Sequence, residues 1–284
     1  MTSKKGIIAL DIDGTITHTL HDISPDVVQY LHTLSQEGWQ IVFVTGRIFS
    51  FAYTIVRHFS FPYYLAVQNG ADILEMPSQK LVHRSYLTGN EIALLEQVYI
   101  GQKEDFIVYA GYDVGDFCYF RPHKCTKPFL QYLGHMQILS KEPWVAVEDF
   151  DKDAKSLFSL VKCLGSQEEM QAVHAKIAKI PVLHATLIRD VLTESPYFLN
   201  LVTHHKATKA HALEYIIEKE KIEGPSIAAG DDRNDLAMIQ RADIGIAMQN
   251  APKEVLDVAD IVAPLAKDLG IITALQEAVK RAMR

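Results

Sequence analysis

The chain has 284 residues, 48% of them hydrophobic, and a formal net charge of −7. That length allows one large or two moderate domains with ample core material, and the acidic balance argues against a nucleic-acid partner, which wants a basic face. Three cysteines, Cys118, Cys125 and Cys163, show no Cys-x-x-Cys spacing, so free thiols in a reducing compartment are favoured over a disulfide frame or a zinc site. The apolar run before Asp11 is too short for a signal peptide and no segment is long enough to cross a bilayer, so a cytoplasmic protein with no membrane partner is expected. Nothing in this pattern specifies an oligomeric state.

Four apolar residues, Ile7 to Leu10, read as a strand buried on both faces. They run into Asp11-Ile12-Asp13-Gly14-Thr15. A helix follows from Ser24-Pro25, whose cap and first-turn chemistry suits an N-terminus, to Gly38. Gln40 to Val44 is a second strand ending in Thr45-Gly46-Arg47, with a helix expected from about Phe49 to Phe59. Tyr64 to Val67 is a third strand, ending in Gln68-Asn69-Gly70-Ala71. Strands alternating with helices predict a parallel, Rossmann-like sheet with helices on both faces and ligands at the carboxyl ends of its strands.

From about Ile73 the texture changes to hairpins, over 73–83 and 106–120, with helices over 91–99 and 166–178 and strands over 157–164, 182–189 and 197–202. Such a mixture predicts an inserted α+β domain, placed at 84–191, between core segments 1–83 and 192–284. The parallel pattern resumes with a helix from Thr208 to about Glu220 and a strand, Ser226 to Ala229, that meets Gly230-Asp231-Asp232-Arg233-Asn234-Asp235. Helices beginning at Leu236, Pro252 and Leu269 and strands at Ile244 and Asp260 complete the chain.

Two carboxylates at i and i+2 on an extended chain point the same way, and their repulsion calls for a cation or a shared proton. Asp-x-Asp-Gly-Thr at a strand end suggests phosphoryl chemistry, with Asp11 attacking phosphorus and Asp13 handling the leaving-group proton. Asp11, Asp13 (through its carbonyl) and Asp231 form a plausible oxygen set for Mg2+, with Asp235 behind them orienting a ligand. Capping alone would account for one or two of the acids after Gly230, not for four polar groups. Thr45 and Gly46 offer a hydroxyl and a close amide to phosphate oxygens. Asn69 and Asn234 could bond substrate or simply serve turns. Lys209 opens a helix, where the dipole disfavours a cation, so an anionic partner is expected; Lys206 is the competing candidate.

This ordered set resembles the haloacid dehalogenase superfamily, and closely its Cof-type phosphatases with a type IIB cap. The resemblance spans essentially the whole chain. It implies Asp11 as nucleophile, Asp13 as general acid and base, Thr45 as a phosphate contact, Lys209 as the lysine of the third motif and Asp231 as a metal ligand. Asp235 matches the second acid of the last motif. The implied activity is magnesium-dependent hydrolysis of a small phosphorylated metabolite, a sugar phosphate or phosphorylated cofactor, through an aspartyl-phosphate. A phosphotransferase or mutase, or a catalytically silent binding protein on the same scaffold, are the alternatives. Within the insert, Arg121, His123, Lys124 and Arg189 could meet a polar or anionic leaving group, though each reads more readily as a plain surface residue. One departure is Ala210, where the family usually has glycine after the lysine.

Overall fold

The structure is a computed structural model, and it describes residues 4–152, 156–190 and 197–284. In chain order the first elements are β1 (Gly6–Leu10), α1 (Pro25–Gln36), β2 (Trp39–Val44), α2 (Phe49–Val56), β3 (Tyr63–Val67), β4 (Asp72–Met76) and β5 (Lys80–Arg84). Then come β6 (Leu87–Thr88), α3 (Gly89–Val98), β7 (Ile107–Tyr109), β8 (Cys118–Phe120), α4 (Lys127–Ser140), β9 (Trp144–Ala146), β10 (Leu157–Phe158), β11 (Leu160–Gly165), α5 (Gln167–Ile177), β12 (Leu183–Arg189) and β13 (Phe198–His204). The chain closes with α6 (Lys209–Glu220), β14 (Ser226–Gly230), α7 (Leu236–Arg241), β15 (Ile244–Met248), α8 (Lys253–Leu256), β16 (Ile261–Ala263) and α9 (Gly270–Ala282). It divides into two compact units, Met1–Arg47 with Ala52–His83 and Thr208–Arg284, and Ile48–Phe51 with Arg84–Ala207.

The first unit is built on an eight-stranded sheet of order β16-β15-β14-β1-β2-β3-β4-β5. Strands β16 through β3 run parallel, and β4 turns back antiparallel on β3. β1, β2, β3, β14 and β15 are buried along their whole length, which is why, apart from Gln40 near the start of β2 and Ser226 at the start of β14, they read as apolar runs instead of alternating ones. Ser24 caps α1 as its sequence suggests, accepting a hydrogen bond from the Asp26 amide. One face of the sheet packs on α6 through Ala210, Leu213 and Ile216, together with Ile7, Ala9, Val42 and Ala228. The expected Rossmann-like α/β core is therefore present.

The second unit has a six-stranded sheet of order β12-β13-β11-β7-β8-β9, antiparallel except for the β8–β9 pair. Ile92 and Leu95 of α3 and Met170 and Val173 of α5 bury one face of it with Val108, Val161 and Val202. Both helices start on capping boxes, Thr88 with Glu91 and Ser166 with Glu169, which satisfy two otherwise orphaned amides each. α4 and β9 have no counterpart among the predicted elements. Thr126 caps α4 and Phe129, Leu133, Met136 and Ser140 line its buried side, a helical stripe masked in the sequence by further apolar residues off it, such as the exposed Ile138. The expected second boundary, between residues 191 and 192, lies outside the described residues. β13 follows it and pairs with β11 and β12, so the second unit continues to Ala207. All three cysteines are free thiols, and Cys118 and Cys163 are buried. Among the described residues no helix is long and apolar enough to cross a membrane.

Candidate active site

The parallel strands β14, β1, β2 and β3 deliver the polar motifs of the first unit to one end of its sheet. Asp11, only 4% exposed, leaves β1 and accepts hydrogen bonds from Lys209 Nζ at 2.5 Å and from Thr15 Oγ1 at 3.2 Å. Lys209 is the first residue of α6, is 2% exposed, and also donates to Asp235 Oδ1 at 2.7 Å. One ammonium thus ties together acids from the two ends of the chain. Lys206, the competing candidate, is exposed, and Lys209 is the lysine that meets Asp11.

The glycines explain how so many acids fit. Gly14 has a left-handed φ of +74°, and a Cβ there would lie 2.0 Å from Asp231 Oδ2; only glycine supplies both the turn and the space. At Gly230 a Cβ would lie 2.2 Å from Asp235 Cγ. Asp235 is fully buried against that bare backbone, and its Oδ2 accepts from the amides of Asp231 at 3.2 Å and Asp232 at 3.1 Å. It therefore organises its own loop while it orients Lys209.

Asp13 is arranged differently. Its side chain is 42% exposed and is gripped by Arg47 through Nε at 2.8 Å and Nη2 at 2.5 Å, while Arg47 Nη1 donates to the Leu20 carbonyl at 2.8 Å. This fork fixes the Asp13 carboxylate in position. The sequence gives Arg47 no task; the available signal was an arginine placed right after the strand end that faces a pair of acids. Thr45 is fully buried beside half-buried Gly46, and its hydroxyl accepts from the Arg47 amide at 3.1 Å. Asn69 and Asn234 reach each other: Asn234 Nδ2 donates to Asn69 Oδ1 at 3.0 Å.

In the second unit, Arg121 is neither a surface residue nor free to meet a leaving group. It is 1% exposed and donates to both oxygens of Asp105, to Glu96 and to Asp149, with its guanidinium 4.1 Å from the Phe150 ring centre. A buried guanidinium has to satisfy its donors locally, and these acids do so. His123, Lys124 and Arg189 are exposed.

Burial pushes the Asp11 carboxyl up to about 7 against the pull of Lys209, with Asp235 and Asp13 adding to the rise. Burial, followed by repulsion from Asp11 and Asp235, raises Asp231 to about 9. Lys209 is held protonated by Asp11 and Asp235 against the opposing effect of its burial. One cation facing Asp11, Asp231 and Asp235 leaves surplus negative charge in a poorly solvated place. Carboxylate oxygens of these three acids all lie within 4.8 Å of one another. Hard oxygen donors, close spacing and unbalanced charge fit a divalent cation such as those bound by carboxylates and water.

The family model for haloacid dehalogenase-like hydrolases matches residues 8–275, nearly the full chain. The protein belongs to that family. This haloacid dehalogenase-like hydrolase is 24% identical over 277 residues to the putative phosphatase YxeH of Bacillus subtilis, covering 96% of this chain and 98% of that one. It is also 24% identical over 283 residues to the 5-amino-6-(5-phospho-D-ribitylamino)uracil phosphatase YitU of the same organism, covering 98% of each. Among solved structures it resembles a haloacid dehalogenase-like hydrolase from Bacteroides thetaiotaomicron (TM-score 0.74, 23% identity, 97% of this chain and 100% of the other). It likewise resembles a sugar phosphatase of subclass IIB of the superfamily (TM-score 0.73, 20% identity, 95% and 98%). These structural likenesses establish the fold shared by the hydrolase and its relatives.

Proposed function

We propose that this hydrolase is a magnesium-dependent phosphomonoesterase acting on a small phosphorylated metabolite in the cytoplasm, with residues 84–207 as its type IIB cap. The observation that carries the reading is the pair of hydrogen bonds from Lys209 Nζ to Asp11 and Asp235, which assembles the acids of the first and last motifs around one cation-deficient point.

In this mechanism an Asp11 carboxylate oxygen attacks phosphorus, the ester P–O bond breaks, and the departing oxygen takes a proton from Asp13. Asp13 then takes a proton from water as that water attacks the aspartyl-phosphate, releasing inorganic phosphate and restoring Asp11. In the structure Arg47 occupies both oxygens of Asp13, so Asp13 has to release one of these bonds to exchange the proton. Lys209 offsets the charge that would otherwise make Asp11 repel an anionic substrate, while Thr45 and Gly46 cradle phosphate oxygens. Asp11, Asp231 and the Asp13 carbonyl would hold Mg2+, with Asp235 supporting them. When bound, the ion supplies charge neutralisation on the phosphoryl oxygens.

The named relatives act on a sugar phosphate and on a phosphorylated ribityl chain, both phosphate monoesters of polyhydroxylated carbon chains, and that is the substrate class proposed. A screen of phosphorylated sugars, nucleotides, flavin and pyridoxal phosphates with Mg2+ tests it. Phosphate release from polyol monoesters by the wild type, abolished in Asp11→Asn, is the expected result. Inactivity across the panel, or an Asp11→Asn variant that turns over normally, sinks the proposal.

A further inference from the structure

Gln68, Asn69 and Gly70 form one 3₁₀ turn after β3, and all three take left-handed backbone angles, φ +49°, +58° and +95°. Glycine adopts these freely and asparagine tolerates them, but a run containing glutamine is uncommon. Such a conformation persists only where the surroundings over-determine it, and here they do so from three directions. The Gln68 and Asn69 amides donate to the carbonyls of Arg47 and Thr45 at 2.9 and 2.8 Å. The Asn69 side chain accepts from Asn234, inside the loop that carries Asp231 and Asp235. At Gly70 a Cβ would lie 2.9 Å from the carbonyl of Thr208, the residue before Lys209.

The Asn69–Asn234 bond is also long-range within the sheet. β3 and β14 are separated by β1 and β2, three strand spacings or about 14 Å. The two loops must lean over the ends of the strands carrying Asp11 and Thr45 in order to meet. We infer that Asn69 is a positioning residue for phosphoryl transfer: its side chain fixes the 231–235 loop through Asn234 while its backbone holds Thr45, so that one short turn sets the register of both loops. Neither amide need touch the substrate. The inference rests on the proposed roles of Thr45, Lys209 and Asp231.

The test uses the full-length protein with Mg2+ and p-nitrophenyl phosphate, comparing Asn69→Gly, Asn234→Ala and the double variant. Glycine keeps the left-handed backbone available while removing the amide, and Asn234→Ala removes the same bond without adding freedom to the turn's backbone. A shift of an ångström in a catalytic loop costs about a hundredfold in rate. kcat is expected to fall by that order in each single variant with KM changed less than about threefold, and the double variant should be no worse than either single. Hydrogen exchange at the Asp231 and Asp232 amides, which needs no turnover, should speed up alike in all three. A wild type inactive here and across the phosphate-ester panel would defeat the phosphatase reading while leaving the exchange comparison decisive for the clasp. Wild-type exchange in Asn69→Gly overturns the inference, as do rate losses that multiply in the double variant, or a rise in KM confined to the Asn69 variant.

Discussion

Each unit of the molecule buries a cation among several carboxylates, Lys209 in the first and Arg121 in the second, and these two sites behave in opposite ways. Arg121 spreads a planar fork over Asp105, Glu96 and Asp149 and stacks on Phe150. The acids around it are satisfied: hydrogen bonds from Lys152 and Arg121 keep Glu96 below its usual range in spite of its partial burial. Asp149 is drawn down to about 2 by Lys152 foremost and by Arg121. Lys209 presents a single point charge to Asp11 and Asp235 with Asp231 close by, and Asp11 and Asp231 are pushed up to about 7 and 9, chiefly by burial. A saturated cluster is a structural knot. An unsaturated one retains affinity for a further cation, which is what an active site for phosphate esters needs.

The sharpest way to separate the two clusters is to remove one acid from the unsaturated one. Asp11→Asn should cut phosphate release by at least about a thousandfold, the scale on which a lost nucleophile is felt, with an unchanged far-UV circular dichroism spectrum. Chelation of divalent cations should silence the wild type as completely and Mg2+ should restore it, as measured by phosphate release before and after dialysis against EDTA. Gly14→Ala places a methyl group against Asp231 at a left-handed position, and kcat should fall by about a hundredfold.

Arg121→Met makes the opposite cut. It strands the buried Asp105 carboxylate, so stability should drop by about 3–5 kcal/mol in urea melts, while kcat at a temperature where the variant stays folded remains near that of the wild type. The same variant alters the acid limb of the stability curve. Carboxylates held below their unfolded values stabilise the fold above about pH 4, and that contribution is lost as pH falls through the folded values toward about 2. Glu96 and Asp149 belong to this class, so the wild type should lose stability over that window and Arg121→Met should show a flatter profile, in acid titrations followed by fluorescence. At the far end, Lys253→Ala breaks an exposed pair with Asp257, and its effect on stability should stay within about 0.5 kcal/mol.

Much of the parallel core was legible because its signals are local. β1, β2 and β14 are apolar runs that end in chemistry-bearing turns, and Gly14 and Gly230 mark the points where backbone gives way to carboxylate. Asp11, Lys209, Asp231 and Asp235 are brought together in the structure as their placement at strand ends and a helix start suggested. The second unit was harder to read. The β7–β8 hairpin stands within the expected 106–120 stretch, but β9 has only three residues, too few to show a period, and Arg121 and Arg189 look alike as isolated basic residues.

The sequence by itself determined which strands are buried on both faces and which residue types stand at their ends, since hydrophobic runs, turn glycines and helix caps act over a few positions. Only the tertiary structure decided the partners: Arg47 with Asp13, Asn69 with Asn234, β13 with β11 and β12, and Arg121 with its three acids. The separations in sequence run from neighbouring strands, β12 and β13, through 16 residues for Arg121 and Asp105 to 165 for Asn69 and Asn234, and each pairing depends on competing donors and acceptors that become neighbours only when the chain has packed. Side chains of similar type, such as Arg47 and Arg121 or Lys206 and Lys209, acquire different tasks from where folding leaves them.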